Sequence, residues 1–420
     1  MIASFSAIQF ACENVGPFRS GYPAVVRFMG AHPRSADALR PAYARKAAVP
    51  ALLGDWSTPD QQMRRRFLSR IFFLLGDEGF GKTTILESIH GLFGLLTGES
   101  AGPFDDGAAD PAETVDIVAD NRMRMQIDLL ASCVVDGALQ EVILSIWFGS
   151  IGPLVDWTDA FQEGPTWGAT EWARIGFIER SKDPTEGTNE LGAKLLAALR
   201  STTDMRKLGT SSVSRLWNSR SVAVEPLPTC LLFRFGDRTP GREERRIGGD
   251  SSYRSTCEVD LAVRSDLQVN LLRMRSDQPE KFERLLKHLN AKVFFGPGRR
   301  RSFGLLPDGT GVGVDIGGND VLRSVAVLTE SERALFALHA GTWVHGTRGS
   351  LIIVDAVDRF AKEEFAILFQ RSIASLAECI PDITFLLASR DVPMARTFAK
   401  CQMGSPLPIG GQIIAGWFIP

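Results

Sequence analysis

The chain has 420 residues, 44% hydrophobic and 23% charged, with a formal net charge of −2. That balance marks an ordinary soluble protein, long for one domain and able to bury a core in two closely joined lobes; the near-neutral charge gives no overall pull toward nucleic acid or an anionic membrane, so any such binding needs a local patch. No apolar run approaches the ~18 residues of a membrane helix, the N-terminus lacks a basic start followed by an apolar stretch, and six cysteines without a C-x-x-C pair read as buried structural thiols, so a cytoplasmic protein with no membrane partner is expected.

Ile8-Gln9-Phe10 and Ala24 to Phe28 predict short strands around the turn-rich Asn14 to Phe18. Gly30 to about Asp60 is polar and proline-dotted, a connecting excursion with some helix around Ala36 to Ala47. The apolar run Ile71 to Leu75 is followed at once by Gly76-Asp77-Glu78-Gly79-Phe80-Gly81-Lys82-Thr83-Thr84, which matches G-x-x-x-x-G-K-[ST] in the strand-loop-helix setting that motif requires. Its physical basis is a backbone that wraps a triphosphate. Gly76, Gly79 and Gly81 lack a Cβ, so their amides can turn inward onto phosphate oxygens. Lys82 meets the β/γ charge, Thr83 offers its hydroxyl to magnesium, and Thr84 to Phe93 has helical apolar spacing that aims a positive dipole end at the phosphates.

Gly98 to Pro111 reads as a loop, and Met123 to Leu130 and Leu139 to Phe148 as an antiparallel hairpin turning near Asp136-Gly137. Residues 151–225 are irregular and partly helical, Asn189 to Leu199 most clearly, with no heptad run for a long coiled coil. Strand character resumes at Leu227 to Phe235, Glu280 to Leu289 is an amphipathic helix, and Val312 to Asp320 is a strand and glycine turn. Thr329 or Ser331 can cap a helix bearing Ala334, Leu335 and Leu338, and Glu332 completes a capping box with Thr329. Ser350 to Asp355 is a continuous β-branched run closed by a carboxylate, the Walker B form, whose aspartate can hold magnesium through water.

With these motifs in order, Leu328-Thr329-Glu330-Ser331-Glu332-Arg333 resembles the L-S-x-G-E-[RK] signature of ABC-type ATPases of the SMC/RecF/OLD-like group, with Thr329 in place of serine and Ser331 in place of glycine. The likeness covers both ends of the chain and much of 280–390, including Phe282 to Asn290 and Asp382 to Arg390. It implies an α/β P-loop fold of ABC ATPase head type: a mixed sheet with an antiparallel β subdomain and an inserted lobe. The head would be formed by 1–150 and 226–420, with 151–225 as the lobe. It implies ATP and Mg2+ as ligands, and an ATP-dependent dimer or higher oligomer in which Thr329 and Ser331 of one copy reach the γ-phosphate held by the other. Compact heads of this kind resemble bacterial DNA-repair and antiphage-defence ATPases that control a companion effector, a nuclease or toxin.

Two departures bear on catalysis. The family's glutamate after the Walker B aspartate is Ala356 here, so hydrolysis is expected to be slow or absent. Ala356 is either natural, making a binding switch, or an engineered trap in an Asp-Glu-Val-Asp parent. Asp358, near the family's D-loop, either bridges protomers, partly replaces that glutamate, or is a surface aspartate. Arg390 stands where family members carry T-H-S, either sensing the γ-phosphate or as a salt-bridged residue. Arg299-Arg300-Arg301 and Arg64-Arg65-Arg66 are candidate DNA contacts or solvated faces. Five histidines at unrelated positions offer no metal cluster. Competing readings are an interaction protein with a relic nucleotide site and a binder of DNA ends.

Overall fold

A computed structural model describes residues 2–13, 15, 24–27, 71–75, 81–97, 124–135, 138–149, 152–158, 169, 171–177, 184, 187–197, 229–235, 256–261, 265–294, 301–347, 349–359, 363–380, 383–390 and 411–415. Six parallel strands form its centre: β3 (Ile71–Leu75), β7 (Cys230–Arg234), β8 (Thr256–Asp260), β12 (Leu351–Val354), β13 (Thr384–Ser389) and β14 (Gly411–Ala415), in the order β14-β3-β13-β12-β7-β8. Their unbroken apolar composition is what a sheet covered on both faces requires. Alternate residues serve two cores. Leu231, Phe233, Ile352, Val354, Phe385 and Leu387 face one, and Leu232, Ile353, Leu386 and Ala388 the other.

The second core is shared with α1 (Lys82–Thr97) and with a five-stranded sheet of order β2-β1-β4-β5-β6, made of β1 (Ile2–Glu13), β2 (Ala24–Arg27), β4 (Arg124–Val135), β5 (Ala138–Phe148) and β6 (Glu171–Phe177). Being enclosed between two sheets, α1 is apolar almost all round, with Ile85, Leu86, Ile89, Leu92, Phe93, Leu95 and Leu96 buried. The expected hairpin is present as β4 and β5, joined across Val135 and Ala138. The mixed pairing expected of the central sheet lies here instead: β6 runs parallel to β5, while the central sheet is wholly parallel. β6 falls within the stretch expected to form an inserted lobe, yet it extends the five-stranded sheet, because its Ala173, Ile175 and Phe177 belong to the second core. A helical stretch over 190–197 follows, and 198–228 lies outside the described residues, as does the helix expected at Ala36 to Ala47.

The first core is closed by α2 (Ser265–Asp277), α3 (Pro279–His288), α4 (Glu330–His345) and α5 (Glu363–Cys379). A small antiparallel sheet, β9 (Ser302–Leu305), β10 (Val312–Asp315) and β11 (Arg323–Ser324), leads into α4. Gly341 lets α4 lie against the parallel sheet, since a Cβ there would stand 2.9 Å from the Phe233 ring and 3.0 Å from Val259. The capping box is present: Thr329 Oγ1 accepts from the Glu332 amide, and Glu332 Oε2 accepts from the Thr329 amide at 3.1 Å. No helix among the described residues is long and apolar enough to cross a membrane. Cys12, Cys133 and Cys230 are buried and free, and burial pushes the Cys133 thiol up to about 11; Cys257 is only half-buried and Cys379 is exposed, so the expectation of buried thiols fails for these two.

Two histidines that sequence spacing leaves unrelated meet where α3, α4 and α5 pack. His288 Nε2 lies 3.1 Å from His339 Nδ1, the second His339 nitrogen pairs with Ser372 Oγ, and Cys379 Sγ lies 3.4 Å from His288 Nδ1. Burial, with the charge of Lys292, lowers His288 from 6.5 to about 4; burial, with His288 beside it, holds His339 well below the ordinary value. Both rings are therefore neutral in the folded state where an unfolded chain would charge them. The stability they support is complete above pH ~6.5 and is lost as the pH falls toward 4. Urea midpoints measured from pH 8 to pH 4.5 are expected to hold level down to about pH 6.5 and then fall, and the double variant His288→Phe/His339→Phe is expected to flatten that limb.

Candidate functional site

The carboxyl ends of β3, β13, β12 and β7 are in register, Leu75 beside Ser389, Leu387 beside Val354, and Val354 beside Phe233. Whatever follows these strands emerges along one edge, where open parallel sheets bind their ligands. The glycine loop follows β3, Arg390 follows β13, Asp355 follows β12, and Arg234 ends β7. Because β13 lies between β3 and β12, Arg390 sits between the phosphate-loop strand and the Walker B strand.

Of the loop, Gly76, Asp77, Glu78, Gly79 and Phe80 lie outside the described residues. Gly81 has φ +77°, a left-handed conformation that suits glycine, and its carbonyl accepts the Ile85 amide at 3.0 Å to open α1. Lys82, Thr83 and Thr84 thus form the first turn of α1, at its positive end. From this turn Thr83 Oγ1 donates to Asp355 Oδ2 at 2.9 Å, across 272 residues of sequence. Burial raises the Asp355 carboxyl above its usual range, and the Thr83 hydroxyl and Ala356 amide pull it back.

The donor chemistry suits magnesium. The Thr83 hydroxyl and the Asp355 carboxylate are brought together by their hydrogen bond, so one cation could be served by both, by Thr83 directly and by Asp355 directly or through water. Both are hard oxygens. Among the described residues no group of three or more His, Cys, Asp or Glu could hold a metal, so the other positions would fall to phosphate and water, which is how magnesium is usually held.

Ala356, at the position of the absent glutamate, has φ +50°, unusual for a residue with a Cβ. This reversal starts the 3-10 turn Val357–Arg359, in which the Arg359 amide donates to the Ala356 carbonyl at 3.0 Å. Two contacts tie the turn to neighbouring strand ends. Asp358 takes the Arg390 amide at 3.1 Å and its Nε at 2.9 Å, and the Arg359 guanidinium lies 4.5 Å from the centre of the Phe235 ring. The Asp358 side chain is 12% exposed and that of Arg390 63%, so a largely buried carboxylate anchors an arginine that reaches solvent at this edge of the sheet.

Thr329 and Ser331 stand apart from this group, at the start of α4. The Thr329 hydroxyl is turned onto Glu332, donating to Oε2 at 3.0 Å. Glu332 also holds Arg301, whose NH2 lies 3.1 Å from Oε1 with side-chain exposures of 18% and 8%. The third arginine of that basic run is thereby a half-buried structural partner and not part of a free cationic face, while Arg299, Arg300 and Arg64 to Arg66 lie outside the described residues. Sequence reasoning missed a triad beside Asp355: Glu87 on α1, Arg234 and Glu258. A carboxylate one turn after Thr83 and an arginine ending an apolar strand were legible signals; Glu258 carried none.

No family model and no curated protein matches the chain. Among solved structures it is similar to an SMC head domain from Thermotoga maritima, at 12% identity over 93% of this chain and 91% of that one, with a TM-score of 0.36. It is also similar to an SMC head bound to the C-winged helix domain of ScpA, at 12% identity with the same coverages and a TM-score of 0.41. The α/β architecture described above rests on the chain's own strand order and register.

Proposed function

We propose that the chain binds ATP with Mg2+ at the carboxyl edge of its parallel sheet and that ATP joins two copies. Each nucleotide would lie between the glycine loop of one copy and the α4 N-terminus of the other. The observation that carries this reading is the 2.9 Å contact between Thr83 and Asp355, because it unites the residue after the glycine-loop lysine with the carboxylate of the Walker B run. In this reading Gly76 to Gly81 supply amides to the phosphates, Lys82 supplies charge, and Thr83 and Asp355 supply magnesium oxygens. Arg390, carried by Asp358, faces the γ-phosphate. Across the interface Ser331 and the first amides of α4 meet the same phosphate, with Thr329 holding the cap that aims them.

Hydrolysis is slow in this reading. Alanine at 356 cannot orient water, and Asp358 is engaged by Arg390. A nucleotide that persists suits a switch, in which the ATP-joined form has the higher affinity for a companion protein. That companion would be a nuclease or toxin in DNA repair or antiphage defence, a role that follows from the resemblance of the motifs and not from the geometry.

Binding of a fluorescent ATP analogue, with oligomer mass recorded in the same samples, tests the reading. Lys82→Ala is expected to weaken binding about tenfold or more, the scale of one lost charged hydrogen bond, and to abolish the mass increase. Equal binding by the two proteins, or none by the unaltered chain, would overturn it.

A further inference from the structure

One turn beyond Thr83 on α1, Glu87 Oε1 holds the NH1 of Arg234 at 2.5 Å, and Glu258 on β8 holds its Nε. The three side chains are largely buried, with exposures of 18%, 16% and 28% for Glu87, Arg234 and Glu258. One guanidinium is thus shared by two carboxylates from two different elements. Arg234 is also next to Asp355. It follows Phe233, whose carbonyl takes the Asp355 amide at 2.9 Å, and its charge acts on the Asp355 carboxyl in the opposite sense to that of Glu87.

An arginine in this place endangers a magnesium site. Its planar fork binds carboxylates through two parallel hydrogen bonds, and such a pair with Asp355 would occupy the oxygens a hard cation needs. Asp355 instead takes the Thr83 hydroxyl, and the guanidinium is turned to the glutamates. We propose that Glu87, together with Glu258, withholds Arg234 from Asp355 and so keeps an Asp355 oxygen open for Mg2+. Glu87 is a positioning residue here and not a metal ligand. The proposal rests on the nucleotide reading above.

The test is a Mg2+ titration of fluorescent ATP-analogue binding with the full chain, beside the same measurement in excess EDTA. Glu87→Gln keeps the shape of the side chain but removes the charge that holds the Arg234 NH1, leaving the guanidinium only its Nε contact with Glu258 and an NH1 able to turn to Asp355, and is expected to raise the half-saturating Mg2+ about tenfold while leaving affinity in EDTA unchanged. Removing the freed cation as well, in Glu87→Gln/Arg234→Gln, is expected to bring the Mg2+ requirement back to within about twofold of the unaltered chain. A purely structural role for the triad would make the double variant worse than the single one, and that outcome overturns the proposal, as does an unchanged Mg2+ requirement in Glu87→Gln. If the unaltered chain shows no Mg2+-dependent nucleotide binding, the nucleotide reading itself fails and this proposal with it.

Discussion

Replacing Ala356 with glutamate is expected to raise steady-state ATP turnover about a hundredfold or more, the lower end of what a positioned general base contributes. The position is the one that follows Asp355, so a carboxylate there would project from the turn that closes β12 at the phosphate edge. The backbone is already prepared for it. Ala356 holds φ +50° with a Cβ in place, so the steric cost of that conformation, about 1–2 kcal/mol for a residue with a Cβ, is present before the substitution. The turn is also fixed independently of the 356 side chain, by the Arg359 amide, by Asp358 on Arg390 and by Arg359 on Phe235. Phosphate release by Ala356→Glu should vanish in Lys82→Ala/Ala356→Glu, which separates turnover at this site from a contaminant. Intact ATP binding with unchanged turnover in Ala356→Glu would show that this position does not address the attacking water.

The nucleotide edge was legible because its chemistry is local. Gly76 to Thr84 and Ser350 to Asp355 announce a loop and a strand by composition alone, and the capping of α4 by Thr329 and Glu332 follows from their spacing. What escaped was set by tertiary pairing. Asp358 looked like a candidate general base or interface residue, and only the neighbouring end of β13 reveals that Arg390 engages it. Arg301 looked like part of a cationic run, and only the return of the chain to α4 gives it Glu332. His288 and His339 are separated by 51 positions and meet through helix packing, which no period in the sequence encodes. β6 was missed as a sheet strand because Glu171–Phe177 carries tryptophan and arginine on its partly exposed positions, so its alternation was obscured within an irregular stretch.

Asp128 offers the largest expected stability effect, and it too was invisible in the sequence. It lies in the middle of β4 with 0% exposure, two residues from a second fully buried polar side chain, Gln126. Gln9 from β1 donates to one carboxylate oxygen at 2.8 Å, Gln126 donates to the other at 2.7 Å, and Ser145 from β5 donates to that same oxygen. Burial pushes the carboxyl up, and Ser145, Gln126, Gln9 and Trp157 draw it down. Each of these side chains offers the carboxyl a hydrogen, so both of its oxygens are engaged as acceptors. The network also ties outlying parts to the sheet: Trp172 donates to Ser145 Oγ at 2.7 Å, and the Gln126 amide exchanges two hydrogen bonds with the Val155 backbone at 2.9 and 3.0 Å. Asp128→Ala would remove the acceptor that Gln9, Ser145 and Gln126 share, at about 1–3 kcal/mol for each donor stranded, for an expected loss of about 3–5 kcal/mol, since Gln126 keeps its bond to the Val155 carbonyl. Asp128→Asn should lose well under half as much. Its oxygen can keep Gln126 and Ser145, and Gln9 can rotate its amide to present oxygen to the new NH2. Denaturant midpoints of the two variants check this ordering. Equal losses would mean that the site depends on the negative charge itself, and a negligible loss in Asp128→Ala would mean that water enters to satisfy the donors.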